Sequence, residues 1–124
     1  MFYNKHEELH KKLREIKESK ESEELVVKMG PVNVEGTTKR GEMPAGTEYR
    51  ELIQVFGKPT ELNPGDGVWV EWNGTINGKV FTIYDYNLNI KPEDNQYWTI
   101  GGHDNTTAMM LYDYFKRQLG CKDE

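Results

Sequence analysis

The sequence has 124 residues and a mass of 14.5 kDa, which fits one compact domain, since independent domains commonly span about 100–150 residues. Its formal net charge of −5 argues against direct binding of a nucleic-acid duplex, because such affinity comes from clustered Lys and Arg. The single cysteine, Cys121, excludes an intrachain disulfide, and without a long apolar run we expect a soluble protein with no membrane partner.

Residues 4–24 are predicted to form a peripheral or oligomerising helix. Leu9, Leu13 and Ile16 are spaced by four and three residues among charged side chains, which is typical of a narrow apolar stripe. Such a stripe fits a helix that lies on the domain or pairs with another copy of the chain, so we expect a homo-oligomer.

Metal and cofactor binding are not expected. His6 and His10 lie one helical turn apart, which is ligand spacing, but no further ligand completes a site. We therefore interpret both as solvated histidines.

Residues 25–46 are predicted to form a weak strand followed by a loop. Two apolar pieces, 25–29 and 32–34, flank a Gly-Pro dipeptide, which favours a strand interrupted there. The Gly- and Pro-rich remainder predicts a loop. Lys39 and Arg40 form a basic pair on it.

The next segment carries the clearest helical pattern. Thr47 is a candidate N-cap and Gly57 a left-handed stop. The one-sided stripe between them predicts packing across a sheet face. The stripe consists of Tyr49, Leu52, Ile53 and Phe56.

Two predicted strands, Val68–Ile76 and Lys79–Tyr86, flank Asn77-Gly78, a dipeptide typical of a type I′ hairpin turn. A two-residue turn fixes the register and sorts the side chains onto two faces. The face expected to form the core carries Val70, Trp72, Ile76, Phe81 and Ile83. The other face carries Trp69, Glu71, Asn73, Thr82, Tyr84 and Tyr86.

A third strand over Gln96–Ile100 and a last helix, capped by a residue in 104–106 and stopped by Gly120, complete the pattern. The expected buried side of that helix carries Ala108, Leu111, Tyr112, Phe115 and Leu119. We predict one α+β domain with an antiparallel sheet of three to four strands, an N-terminal helix, a middle helix packed on the sheet and a C-terminal helix. Residues 47–120 form its α-β-β-β-α core.

The second aromatic face is the first candidate site. Trp69, Tyr84 and Tyr86 cluster around Glu71, although an outward sheet face is normally polar. We expect this face to be covered, either by a helix, by a second subunit, or by a ligand or partner protein.

The segment from Trp98 to Asp104 is the second candidate. Gly101 and Gly102 between a strand and a helix leave room for backbone N–H groups to hold a phosphate or carboxylate, and His103 is a possible ligand donor. The alternative is that the glycines serve only the strand exit and that Asp104 itself caps the helix.

No catalytic residue is assigned, because the sequence has no nucleophile elbow, Walker loop or zinc-ligand set. Asp85, opposite Val70 on the core face, is expected either to be a carboxylate with a raised pKa or, near the strand end, to reach water or a backbone N–H.

Four segments taken together resemble a group of small proteins encoded by bacteriophages and prophages. They are Glu51–Thr60, Val70–Trp72, Gly78–Tyr86 and Trp98–Gly102. The resemblance implies a setting in the host bacterial cytoplasm, where small phage proteins antagonise immunity by stoichiometric binding, as anti-CRISPR proteins and sponges for immune signalling nucleotides do. It carries over no site residues.

Two binding hypotheses follow, and they make opposite demands. Capture of an immune nucleotide would use aromatic stacking, the glycine amides and basic residues for phosphate. The stacking candidates are Trp69, Tyr84, Tyr86 and Trp98, and the phosphate candidates are Lys39, Arg40 and Arg117. Inhibition of a defence protein would use the acidic stretch 61–104 against a basic groove.

Two alternatives stay open. A small phage enzyme acting on a nucleotide would gather Glu71, Asp85 and His103 in one pocket. A phage structural or assembly protein would be found in virions.

Overall fold

The computed structural model describes residues 24–65, 67–86 and 89–120. The strands are β1 (Val27–Met29), β2 (Thr38–Glu42), β3 (Glu61–Gly65), β4 (Val68–Ile76), β5 (Lys79–Tyr84) and β6 (Thr99–Gly102). The helices are α1 (Tyr49–Phe56) and α2 (Asn105–Gly120), and a short 3-10 turn spans Pro92–Asp94. The predicted α+β class is confirmed. The predicted helix over 4–24, with His6 and His10, and also Cys121 lie outside the described residues, apart from Glu24.

The six strands form one antiparallel sheet in the spatial order β1-β4-β5-β6-β2. The long strand β4 has two partners along the same edge. β1 pairs with its C-terminal end, from Gly74 to Ile76, and β3 pairs with its N-terminal end, from Val68 to Glu71. The sheet is therefore larger than the three to four strands predicted.

The predicted hairpin is confirmed. Asn77 and Gly78 both have positive φ, 49° and 82°, as a type I′ turn requires. The pairs Glu71–Tyr84 and Trp72–Ile83 have the predicted register. The ladder ends at Tyr84, so the strand is two residues shorter than predicted.

One face of the sheet, here called the helix face, packs against both helices and forms the core. Trp72, Phe81 and Ile83 are fully buried there, as predicted. Phe56 of α1 stacks on Phe115 of α2 at 6.1 Å between ring centroids, so the two helices also contact each other. The opposite surface is here called the open face.

The N-cap of helix α1 is one residue later than predicted. Thr47 donates its hydroxyl to the Pro44 carbonyl at 2.6 Å instead of capping the helix. Glu48 is the N-cap, and its N–H donates to Glu51 Oε1 at 2.9 Å, which is half of a capping box. Gly57 ends the helix at φ 85°, as predicted.

Helix α2 follows the prediction at its N-terminus. Asp104 Oδ1 accepts hydrogen bonds from the N–H and the hydroxyl of Thr107, at 3.0 and 2.9 Å. Ala108, Leu111 and Phe115 are buried as expected, whereas Tyr112 is 38% exposed and does not belong to the core.

Two strands form where the sequence predicts none. β2 lies in the predicted loop 35–46, and β3 consists of five exposed residues that include Pro64. Conversely, residues 32–34 are not a strand, and the third predicted strand is shifted to Thr99–Gly102. These short polar strands carry no apolar alternation, because backbone pairing with a neighbouring strand, β6 for β2 and β4 for β3, supplies their stability.

Candidate functional site

A groove of about 700 Å³ lies on the open face. Its floor comes from β4, β5 and β6, and its walls come from β2 with the connection that precedes it on one side and from β3 on the other. The lining residues are Val34, Thr37, Lys39, Glu61, Pro64, Gly65, Val68, Glu71, Thr82, Tyr84, Tyr86 and Thr99. This volume is in the range of small-molecule sites.

Three of the predicted site residues meet in this groove, namely Glu71, Tyr84 and Tyr86. Glu71 and Tyr84 are directly opposite each other across β4 and β5. The rings of Tyr84 and Tyr86 are 6.4 Å apart and nearly perpendicular, at 86°, a favourable edge-to-face arrangement. Tyr86 is 71% exposed, so it forms an open rim, whereas Tyr84 is half-buried.

A second carboxylate, which the sequence did not single out, stands beside Glu71. Glu61 of β3 is directly opposite Glu71 of β4. Burial raises the pKa of Glu71, a hydrogen bond from Asn73 opposes that shift, and the nearby Glu61 charge raises the pKa further. Like charges on directly opposite residues are destabilising, so this pair lowers the stability of the folded protein at the groove.

The floor of the groove is polar and well buried. Thr82 is only 3% exposed, and its side chain makes no hydrogen bond to any part of the chain that the structure describes. Its neighbour is Gly101, where an added Cβ would lie only 2.4 Å from Thr82 Oγ1. Gly101 is therefore needed for close approach of side chains on the open face.

One wall is held in place by Asn73. Its Oδ1 accepts a hydrogen bond from the Val32 N–H at 3.1 Å, and its Nδ2 donates to Glu71 Oε2 at 3.0 Å. Asn73 is fully buried, so the segment that brings Val34 and Thr37 to the groove covers this end of the open face. The side-chain amide thus links the wall to the carboxylate of Glu71.

Lys39 is the basic residue of the groove lining. Its Nζ lies 3.1 Å from Glu42 Oε2 on the same strand. The half-buried Tyr84 is nearby: burial raises the pKa of its hydroxyl, the charge of Lys39 opposes this, and Glu71 and Tyr86 add to it. The ammonium thus already has a carboxylate partner.

Both tryptophans among the predicted site residues lie elsewhere. Trp98 is 1% exposed in the core, stacks on Tyr49 and donates its Nε1–H to the Thr47 carbonyl at 3.0 Å. Trp69 packs against the same core and does not line the groove. Neither ring is placed to stack on a ligand in the groove.

Trp69 was expected on the open face but packs against the core, and the cause is local. Asp85 Oδ1 accepts the N–H groups of both Trp69 and Val70, at 3.0 and 3.1 Å. The carboxylate thus replaces the next backbone pair of the ladder, and both neighbouring side chains contact the core. Val68, one residue earlier, lines the groove instead.

Asp85 fulfils both parts of its prediction. It is fully buried, and burial raises its pKa against the opposing hydrogen bonds from the amides of Val70 and Trp69. Within the described ranges, its Oδ2 is the one buried side-chain polar atom without a hydrogen-bond partner. Asp85 does not line the groove.

The glycine segment does not form the predicted anion site. Gly101 and Gly102 lie inside β6, which pairs with β5 on one side and β2 on the other. Their backbone groups therefore belong to ladders. Asp104 occupies the helix N-terminus, and His103 is exposed beyond the end of β6.

The two remaining basic candidates are also elsewhere. Arg40 donates to the carbonyl oxygens of Gly102 and His103, at 3.2 and 3.0 Å, and borders a separate surface groove beside α2. Arg117 pairs with Asp113 on α2 at 2.8 Å. The predicted phosphate contacts are thus dispersed, and only Lys39 reaches the groove.

The arrangement offers more hydrogen-bond acceptors than cations to a ligand. Two carboxylates, a buried hydroxyl and two tyrosines face one already paired ammonium. The described residues contain no cluster of three or more His, Cys, Asp or Glu suited to a metal ion. They also contain no helix with the length and apolarity needed to cross a bilayer.

Comparisons of this chain with models of known families, with curated proteins and with solved structures find no match.

Proposed function

We propose that this protein is a stoichiometric antagonist of bacterial antiviral defence that binds a defence protein through the groove on the open face. The observation that carries the proposal is the groove itself, in which Glu61 and Glu71 lie opposite each other next to two tyrosines. The phage setting rests on the resemblance of the four sequence segments. The proposal includes no catalytic step.

The charge of the groove favours a basic partner. Glu61 and Glu71 are set against Lys39 alone among the lining residues, and Lys39 pairs with Glu42. The surrounding stretch 61–104 carries seven Asp and Glu and two Lys. A potential of this sign attracts a positively charged protein surface and speeds its association.

The same charge disfavours an anionic nucleotide. Nucleotide capture would need stacking rings and phosphate donors together, whereas Trp69 and Trp98 lie in the core and Arg40 and Arg117 lie outside the groove. One observation still supports this second candidate, because Lys39 stands beside Tyr84 in a groove of nucleotide size. Calorimetry with cyclic nucleotides and cyclic ADP-ribose isomers tests it, and an absence of binding heat would remove it.

The proposal is tested by phage challenge. The chain is expressed in bacterial strains that each carry one antiviral defence system, and plaque formation is counted. We expect plaque formation to be restored in at least one strain, and a Glu61→Gln/Glu71→Gln double variant to lose most of this effect.

Glu93→Gln is the matched control, since it removes a charge from the same acidic stretch but does not line the groove. Where a defence protein is identified, its binding should weaken as salt rises. The proposal is wrong if no strain is sensitised, or if the double variant is as active as the control.

A further inference from the structure

We infer that the groove on the open face binds the guanidinium group of an arginine side chain presented by the partner, between the carboxylates of Glu61 and Glu71 and the ring of Tyr86. This inference deepens the proposed function and rests on it. It assigns to the groove a chemical class of ligand and a geometry.

The first observation is the pair of carboxylates with few partners. Within the described residues, the carboxylate of Glu61 makes no ion pair or hydrogen bond, and the carboxylate of Glu71 accepts one hydrogen bond, from Asn73 at 3.0 Å. Two carboxylates on directly opposite residues repel each other. A cation placed between them converts this repulsion into two charge-assisted hydrogen bonds.

The second observation is independent of the carboxylates. Thr82 is only 3% exposed, and its side chain lines the groove without a hydrogen-bond partner among the described residues. Its oxygen is not among the fully buried unpartnered side-chain atoms, so it stays accessible and can accept a hydrogen bond. A donor on a ligand that reaches the floor would supply that bond, which points to a ligand with several N–H groups.

The third observation is the aromatic rim. The ring of Tyr86 is nearly perpendicular to that of Tyr84, at 6.4 Å between centroids, and Tyr86 is 71% exposed, so most of its ring is open to a ligand. A guanidinium stacks on such a ring and gains both cation–π and dispersion contacts. An exposed aromatic ring beside acidic groups is thus complementary to a planar cation.

The combination favours arginine over lysine. A guanidinium has five N–H donors in a planar fork, which suits two carboxylates, a hydroxyl and a flat ring at the same time. An ammonium has three donors around one point and cannot stack as a plane. The same two carboxylates repel anionic ligands.

The test uses the full chain and three blocked tripeptides with a central arginine, lysine or citrulline, titrated by NMR. Citrulline keeps the shape and most of the hydrogen-bond donors but carries no charge. We expect the arginine peptide to shift the amide signals of Glu71, Thr82 and Tyr84, with an affinity at least about tenfold above that of citrulline, since charge-assisted hydrogen bonds contribute about 1.5–3 kcal/mol. Lysine should fall between them.

Two variants locate the site. Glu71→Gln should weaken the arginine peptide about tenfold, and Thr82→Val, which keeps the side-chain shape, should weaken it about twofold to tenfold. Glu93→Gln should leave the affinity unchanged. Chemical-shift spectra of the free variants show whether each is folded.

The inference is overturned if citrulline binds as well as arginine, if the arginine peptide causes no shift at millimolar concentration, or if Glu71→Gln behaves like Glu93→Gln. A failure of this inference can be told apart from a failure of the proposed function. If phage plaquing depends on the groove carboxylates but the arginine peptide does not bind, the protein engages its partner there by other chemistry.

Discussion

The two faces of the sheet use the same strands in opposite ways. On the helix face, Trp72, Phe81 and Ile83 are completely buried among apolar neighbours. On the open face, the intervening residues Glu71, Thr82 and Tyr84 are polar and surround a groove. Burial therefore stabilises one face through apolar contacts, whereas the other face keeps polar groups accessible at the groove. This contrast separates the part that stabilises the protein from the part that is free to bind.

The largest effect is expected from damage to the helix face. Phe56→Ala should lower the free energy of unfolding by about 3–5 kcal/mol, because the ring is 5% exposed and its removal leaves a cavity between the two helices. Chemical denaturation measures this value. Ile53→Ala on the same helix, at 36% exposure, is the control and should cost clearly less. Equal costs would show that Phe56 does not lie in the core.

The boundary between the two faces depends on Asp85. Asp85→Ala should cost about 2–3 kcal/mol, because it leaves the N–H groups of Trp69 and Val70 without their acceptor. Asp85→Asn keeps an acceptor oxygen and should cost much less in urea denaturation. If both substitutions cost the same, the hydrogen bonds to these amides are not what Asp85 contributes.

The pH dependence of stability gives a second test of Asp85. Because burial raises its pKa, the folded protein binds the proton more tightly than the unfolded chain. The resulting stabilisation is present below the unfolded-state pKa and is lost as pH rises through the folded-state pKa. The stability of the wild type relative to Asp85→Asn should therefore decrease as pH rises from the acid range, measured by denaturation at a series of pH values. An increase with pH would contradict the raised pKa.

Crowding the open face should have a moderate effect. Gly101→Ala should destabilise by about 1–3 kcal/mol, because the new Cβ would lie 2.4 Å from Thr82 Oγ1. Adding Thr82→Ala removes that atom, so the double variant should recover part of the loss. Thermal unfolding of both variants measures this coupling, and purely additive costs would show that the clash is not the cause.

The smallest effect is expected to be a gain. Glu71→Gln should raise the free energy of unfolding by about 0.2–1 kcal/mol at neutral pH, because it removes the repulsion from Glu61 on the facing strand. The gain should shrink in acid, where Glu71, with its raised pKa, becomes protonated. A variant that is more stable and yet binds less well would show that the groove keeps its charge for binding. A loss of stability would mean that the hydrogen bond with Asn73 outweighs the repulsion.

Local signals in the sequence were enough for the hairpin and for helix α1. Asn77-Gly78 set the register correctly, and the alternation on either side assigned Trp72, Phe81 and Ile83 to the core. Residues that are neighbours along these elements carry the whole pattern, so no distant partner was needed.

The candidate site was only partly predictable. Glu71, Tyr84 and Tyr86 follow from the hairpin register and do meet in the groove, but alternation failed at Trp69, where Asp85 takes the place of the backbone ladder. Trp98 lies two residues before Ile100 and on the same side of the strand, so alternation from the buried Ile100 places it in the core. Its assignment to a ligand site did not use this alternation.

The sequence by itself determined an α+β chain with one amphipathic hairpin, a helix across it and an acidic second half. Only the tertiary structure decided that two polar segments would complete the sheet and bring Lys39 and Glu61 to the groove. One is β2, which pairs with the distant strand β6, and the other is β3, which pairs with the strand that follows it, β4. The reason is physical: periodicity reports what each side chain prefers to face, whereas exposed strands that are stabilised mainly by backbone pairing leave no such record in their own residues.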